Sequence, residues 1–71
     1  MTLSKLKKGT KAKIKKILEE KDIKIKLTSL GLSIDTEITM LKNDFVGAVI
    51  LAIGENRIIL GRDLAKNIEI V

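Results

Sequence analysis

Apolar and polar side chains along the chain fall into short runs, broken by glycines and polar pairs. Leu3-Ser4-Lys5-Leu6-Lys7-Lys8-Gly9 forms a short turn in which Leu3 and Leu6 tuck inward while the lysines face water. Ala12, Ile14 and Lys16 then alternate with lysines, the period of a strand, predicted over residues 10–18. The phase slips at Ile17-Leu18, and Glu19-Glu20-Lys21 ends the run. Residues 22–32 carry two periods at once. Ile23, Ile25 and Leu27 alternate as in a strand, while Ile23, Leu27 and Leu30 stand at i, i+4 and i+7 as on a helix face. The end signals decide for a helix. Asp22 is placed to cap free N–H groups, Gly31 suits the left-handed closing position, and Leu32 supplies the apolar contact that accompanies it.

From Thr36 onward the pattern is β. Ile38, Met40 and Lys42 alternate with Thr39 and Leu41, and Asn43-Asp44 makes a turn. The apolar run 46–53 predicts a strand buried on both faces. Gly54-Glu55-Asn56 turns it into a partner strand over 57–60. Asp63 is placed to cap one helical turn over 64–67, and Ile68-Glu69-Ile70-Val71 closes the chain as a strand. Short strands joined by tight turns, with one helix after the first strand, predict a mainly β fold. The expected architecture is a small, partly open SH3-like barrel of about five strands, with one short inserted helix and a helical turn before the last strand. An OB-fold is the nearest competitor, but its helix usually falls between the third and fourth strands. No linker and no repeat divides the chain, so residues 1–71 are expected to form a single domain.

Composition narrows the function. The 71 residues include no Cys, His, Trp or Tyr, and one Phe, Phe45, which is expected in the core beside the apolar run. That inventory excludes disulfides, thiolate or imidazole metal sites and Ser-His or Cys-His catalysis, so the expectation is a binding module and not an enzyme. The charge is uneven. Residues 1–26 carry ten lysines against Glu19, Glu20 and Asp22, a net +7, while the remainder carries −2. A basic third attracts nucleic acid, acidic protein surfaces or anionic lipid, or serves only as a solubilising face. No apolar stretch follows the basic first residues as in a signal peptide, and the longest apolar run is far short of the ~20 residues of a membrane span. A cytoplasmic protein is expected.

In order and spacing the chain resembles the FeoA family, small cytoplasmic accessory proteins of bacterial ferrous iron transport. Three stretches carry the likeness: Leu3-Ser4-Lys5-Leu6-Lys7-Lys8-Gly9; Lys26-Leu27-Thr28-Ser29-Leu30-Gly31-Leu32; and Ile58-Ile59-Leu60 with Ala65 and Ile68-Glu69-Ile70. The resemblance implies an SH3-like barrel, like one that also ends iron-dependent repressors of the DtxR type. It implies a protein that does not itself carry iron, and a partner of the FeoB type, a membrane transporter with a cytoplasmic GTP-binding domain. Two positions depart from the family. Ile34-Asp35 replaces a customary Pro-Gly turn, which Asp tolerates. Lys26 replaces a customary Arg and cannot make a forked contact.

Against that background the candidate sites are few. A ferrous ion would have only carboxylates to bind it, and Glu19, Glu20 and Asp22 lie among lysines, so no metal and no cofactor are expected. Binding of nucleic acid, the alternative function, lacks stacking aromatics and a free helix for a groove. Protein contact remains. Leu27, Leu30 and Leu32 form either core or the wall of an apolar cleft, and with Lys26 and Gly31 they are the candidate partner-binding residues. Lys11, Lys13 and Lys15 are candidates for electrostatic steering toward an acidic patch or the inner leaflet.

Overall fold

The computed structural model describes residues 1–71. After a single 3-10 turn at Leu3–Lys5 come β1 (Lys11–Ile17), α1 (Lys21–Ser29), β2 (Glu37–Lys42), β3 (Val49–Ile53), β4 (Asn56–Leu60), α2 (Arg62–Ala65) and β5 (Ile68–Ile70). The strands form one antiparallel sheet in the order β4-β3-β2-β1-β5. Its two outer strands do not pair, so this is the open SH3-like arrangement expected.

Two irregularities bend the sheet around its core. In β1 the register against β5 shifts between Ile14 and Lys16, and in β2 the register against β3 shifts between Met40 and Lys42. Each places one extra residue in the strand, which raises local twist and lets a short sheet curl. The first bulge also corrects the expected phase. Ala12, Ile14 and Ile17 point inward, while Lys15 and Lys16 are both exposed. Lys16 is therefore not in the inward series.

The core is a cluster of 15 buried apolar residues drawn from every element, with Leu3, Ile14, Leu32, Ile38, Met40, Leu51 and Ile68 among its fully buried members. The β3–β4 hairpin pairs Ile53 with Asn56 across Gly54-Glu55, and Gly54 takes φ +58 at the first turn position, as a two-residue hairpin requires.

Five expectations are corrected. The strand predicted over 46–53 begins only at Val49, and Val46 is exposed. Phe45 (φ +63) and Gly47 (φ +72) have left-handed backbones that cannot continue an extended run. Phe45 is consequently 54% exposed and lies outside the core. β3 alternates buried and half-buried positions, so it is not buried on both faces. Asp22 does not cap α1: the helix begins at Lys21 with Glu20 before it, and Asp22 lies inside the first turn, where a carboxylate still favours the positive helix end. Likewise Gly61 precedes α2, and Asp63 lies within its first turn.

One polar residue lies deep in the structure. Asn43 is buried, and its Nδ2 donates to the Ser4 and Leu6 carbonyls at 3.0 and 2.8 Å. Its Oδ1 accepts from the Phe45 N–H at 2.9 Å and from Arg62 Nη2 at 2.6 Å. Arg62 also donates from Nε to the Gly47 carbonyl at 2.8 Å and from Nη1 to the Ser4 carbonyl at 3.1 Å. This knot ties the first turn, the β2–β3 loop and α2 together and holds Phe45 outward.

Candidate functional site

α1 is the element least committed to the core. Only Leu27 is buried on it, with Ile23 packed partly against the cluster. Its C-terminus closes in a Schellman motif: the Leu32 N–H donates to the Leu27 carbonyl at 2.9 Å and the Gly31 N–H to the Thr28 carbonyl at 3.0 Å. Gly31 takes φ +99 there, and Leu27 and Leu32 bury the apolar contact that accompanies such a cap. The next turn is completed at Asp35 with φ +70, so Asp occupies the left-handed position that a Pro-Gly turn would give to glycine.

The predicted leucine ridge therefore divides. Leu27 and Leu32 are core, at 2% and 0% exposure, whereas Leu30 is 53% exposed at the helix end. Lys26 is exposed on the same turn, and Gly31 approaches Ile53 of β3, whose Cγ2 lies 3.6 Å from where a Cβ would stand. Lys11, Lys13 and Lys15 are exposed along β1.

A second feature was not anticipated. Between β1, α1 and the loop after it lies an open cleft of about 430 Å³, lined by Lys16, Ile17, Lys24, Thr28, Ser33 and Ile34. Lys24 also borders two shallower hollows, one reaching Leu18 and Glu19-Glu20, the other reaching Lys21 and Ile25. The outward positions 21, 24, 25 and 28 follow helical spacing, but the apolar pattern drew attention only to the inward face. The only salt bridge in the structure joins Lys42 to Asp44 at 3.8 Å, so none of the ten lysines in residues 1–26 has a carboxylate partner. No three carboxylates gather closely enough to hold a metal ion, and no helix is long and apolar enough to cross a membrane.

The model of the FeoA domain family matches residues 1–71. The chain belongs to the FeoA family. FeoA domains are associated with ferrous iron transport, and the solved structures agree. This FeoA domain superposes on the crystal structure of an iron uptake regulatory protein (FeoA) with a TM-score of 0.91 at 28% identity, covering 99% of this chain and 93% of that one. It is similar to iron(II) transport protein A from Clostridium thermocellum with a TM-score of 0.89 at 28% identity, covering 99% of this chain and 44% of that one. A manganese-dependent transcriptional repressor shares the fold, with a TM-score of 0.85 at 23% identity over 100% of this chain and 40% of that one. No curated protein sequence matches this FeoA domain.

Proposed function

We propose that this FeoA domain is a non-enzymatic accessory protein that binds and modulates a ferrous iron transporter of the FeoB type through protein contact on its cytoplasmic side. The observation that carries this reading is Leu30, a leucine left 53% exposed at the end of a helix whose neighbours Leu27 and Leu32 are anchored in the core. An aliphatic side chain presented on a rigid cap is a suitable anchor for a partner's pocket, because little conformational freedom is lost on binding. Lys26 stands beside it, and Gly31 fixes the turn that presents it. Lys11, Lys13 and Lys15 add long-range attraction, which acts on the encounter rate more than on specificity.

Titration of this protein against the transporter's cytoplasmic portion tests the proposal. Saturable binding is expected, weakened about tenfold or more by Leu30→Asp while the fold is retained. That factor corresponds to about 1.4 kcal/mol, the loss of one partly buried leucine contact. No measurable binding, with tight and steeply salt-dependent binding to RNA or DNA instead, would sink the proposal.

A further inference from the structure

The sheet has two outer strands, and only one of them is covered. β5 is shielded on its outer side by the first residues of the chain: Thr2 bridges to Glu69, and the Ile70 N–H donates to the Met1 carbonyl at 2.9 Å. β4 has no such cover. Residues along an antiparallel pair alternate between bonding across and pointing away. The two-residue turn closes on Ile53 and Asn56, so Asn56, Ile58 and Leu60 bond to β3, and the N–H and C=O of Arg57 and Ile59 point outward. None of these four groups bonds to a turn, loop or cap elsewhere in the protein. The edge also lacks the usual safeguards against pairing. Its register against β3 runs unbroken, whereas β1 and β2 are bulged, and the strand holds no proline and no lysine. Ile59 is 74% exposed on it.

We infer that β4 pairs with β4 of a second copy of this chain, antiparallel about a two-fold axis, joining two sheets into one. Register selects the strand's own copy as the partner. When the pairing is centred on Ile58, Arg57 of each copy faces Ile59 of the other, and all four outward groups of each strand are bonded. Ile58, only partly buried against the core, then meets its counterpart on the inner face, and the Arg57 stem lies along Ile59 on the outer face. A two-residue slip one way sets Arg57 against Arg57, and like charges directly opposite are unfavourable. A slip the other way sets Arg57 against Gly61, whose carbonyl already accepts from the Leu64 and Ala65 N–H groups. Charge favours this edge for contact between copies. Residues 43–61 hold Asp44, Glu55 and Arg57 and no lysine, a net −1 within a chain of +5, so two basic molecules meet here with little repulsion. A five-residue strand makes a small interface, so the dimer is weak and concentration-dependent.

Amide hydrogen exchange, followed by NMR at low and high protein concentration, tests this directly. In dilute solution the Arg57 and Ile59 N–H groups should exchange fast while that of Ile58 is protected. Raising the concentration should slow exchange at Arg57 and Ile59, about twofold where half of the chains are paired. Sedimentation equilibrium over the same range should show monomer and dimer and no larger species, because a two-fold contact uses up the open edge of both copies. Ile59→Lys, at an exposed position, should keep the fold by circular dichroism and remove the dimer. Ile25→Lys adds the same charge on α1 and should dimerise like wild type. A chain that stays monomeric at every concentration would overturn the inference. Equal weakening of the dimer by Ile25→Lys and Ile59→Lys would overturn it too, because added charge alone would then explain the loss. Protection of Arg57 and Ile59 that came with the transporter's cytoplasmic portion and not with concentration would also overturn it, by making β4 a docking strand for another protein. If Ile59→Lys unfolded, exchange of the wild-type amides would decide alone. The dimer involves no transporter, so its absence leaves the reading of Leu30 standing.

Discussion

Two kinds of residue carry more than their size would indicate. Asn43 spends both amide donors and its carbonyl on groups from three separate segments. Removing it takes the Asn43 partner from the Leu6 carbonyl and the Phe45 N–H and leaves the Ser4 carbonyl with Arg62 alone, which costs about 2 kcal/mol. Asn43→Ala should therefore lower the melting temperature by roughly 10 °C in a domain of this size. Phe45→Ser, at an exposed loop position, should change stability by no more than about 0.5 kcal/mol. Similar melting of both variants in a thermal scan would show that the knot does not hold the loop. Asp35 is the other kind, a side chain tolerated in a left-handed backbone at φ +70. Asp35→Val should cost about 1–2 kcal/mol, since a β-branched residue clashes there, while Asp35→Gly should fold at least as well in a urea titration.

At the level of elements, α1 separates packing from presentation over one turn. Leu27 and Leu30 differ by three positions, yet one is 2% and the other 53% exposed. Leu27→Ala should cost about 3 kcal/mol, the usual loss for a buried leucine, and Leu30→Asp should be near neutral for folding, within about 0.5 kcal/mol. Denaturant midpoints that fell equally would place Leu30 in the core. The same helix shows how far local pattern reaches. Gly31 followed by Leu32 announced the Schellman closure, because that motif needs one left-handed residue and one apolar contact nearby. Gly54 announced the β3–β4 hairpin for a similarly local reason. Phe45 and Val46 were misplaced because their environment is set at long range, by Asn43 and by Arg62, which contacts Gly47 from 15 residues away. The cleft at Lys16 and Lys24 was missed on the same grounds. It exists only once a bulge turns Lys16 outward beside α1.

For the whole molecule the deciding quantity is the distance over which its charges act. The protein measures 28 × 24 × 20 Å and carries a formal charge of +5 with a single ion pair. At 0.01 M salt the screening length is about 30 Å, so every lysine repels every other across the fold. At 0.15 M it falls to about 8 Å, and only near neighbours interact. Compaction brings the lysines of β1 and α1 closer than they are in the unfolded chain, so their repulsion opposes folding. Adding sodium chloride over that range should therefore raise the melting temperature. The variant Lys16→Gln with Lys21→Gln and Lys24→Gln should be more stable than wild type at low salt and respond less to added salt. Exclusion of salt from the protein surface would stabilise both proteins alike, so the difference between them isolates the repulsion. A melting temperature that fell with salt would mean that attraction to scattered carboxylates outweighs the lysine cluster. The ten lysines of residues 1–26 would then carry no net repulsion for added salt to relieve.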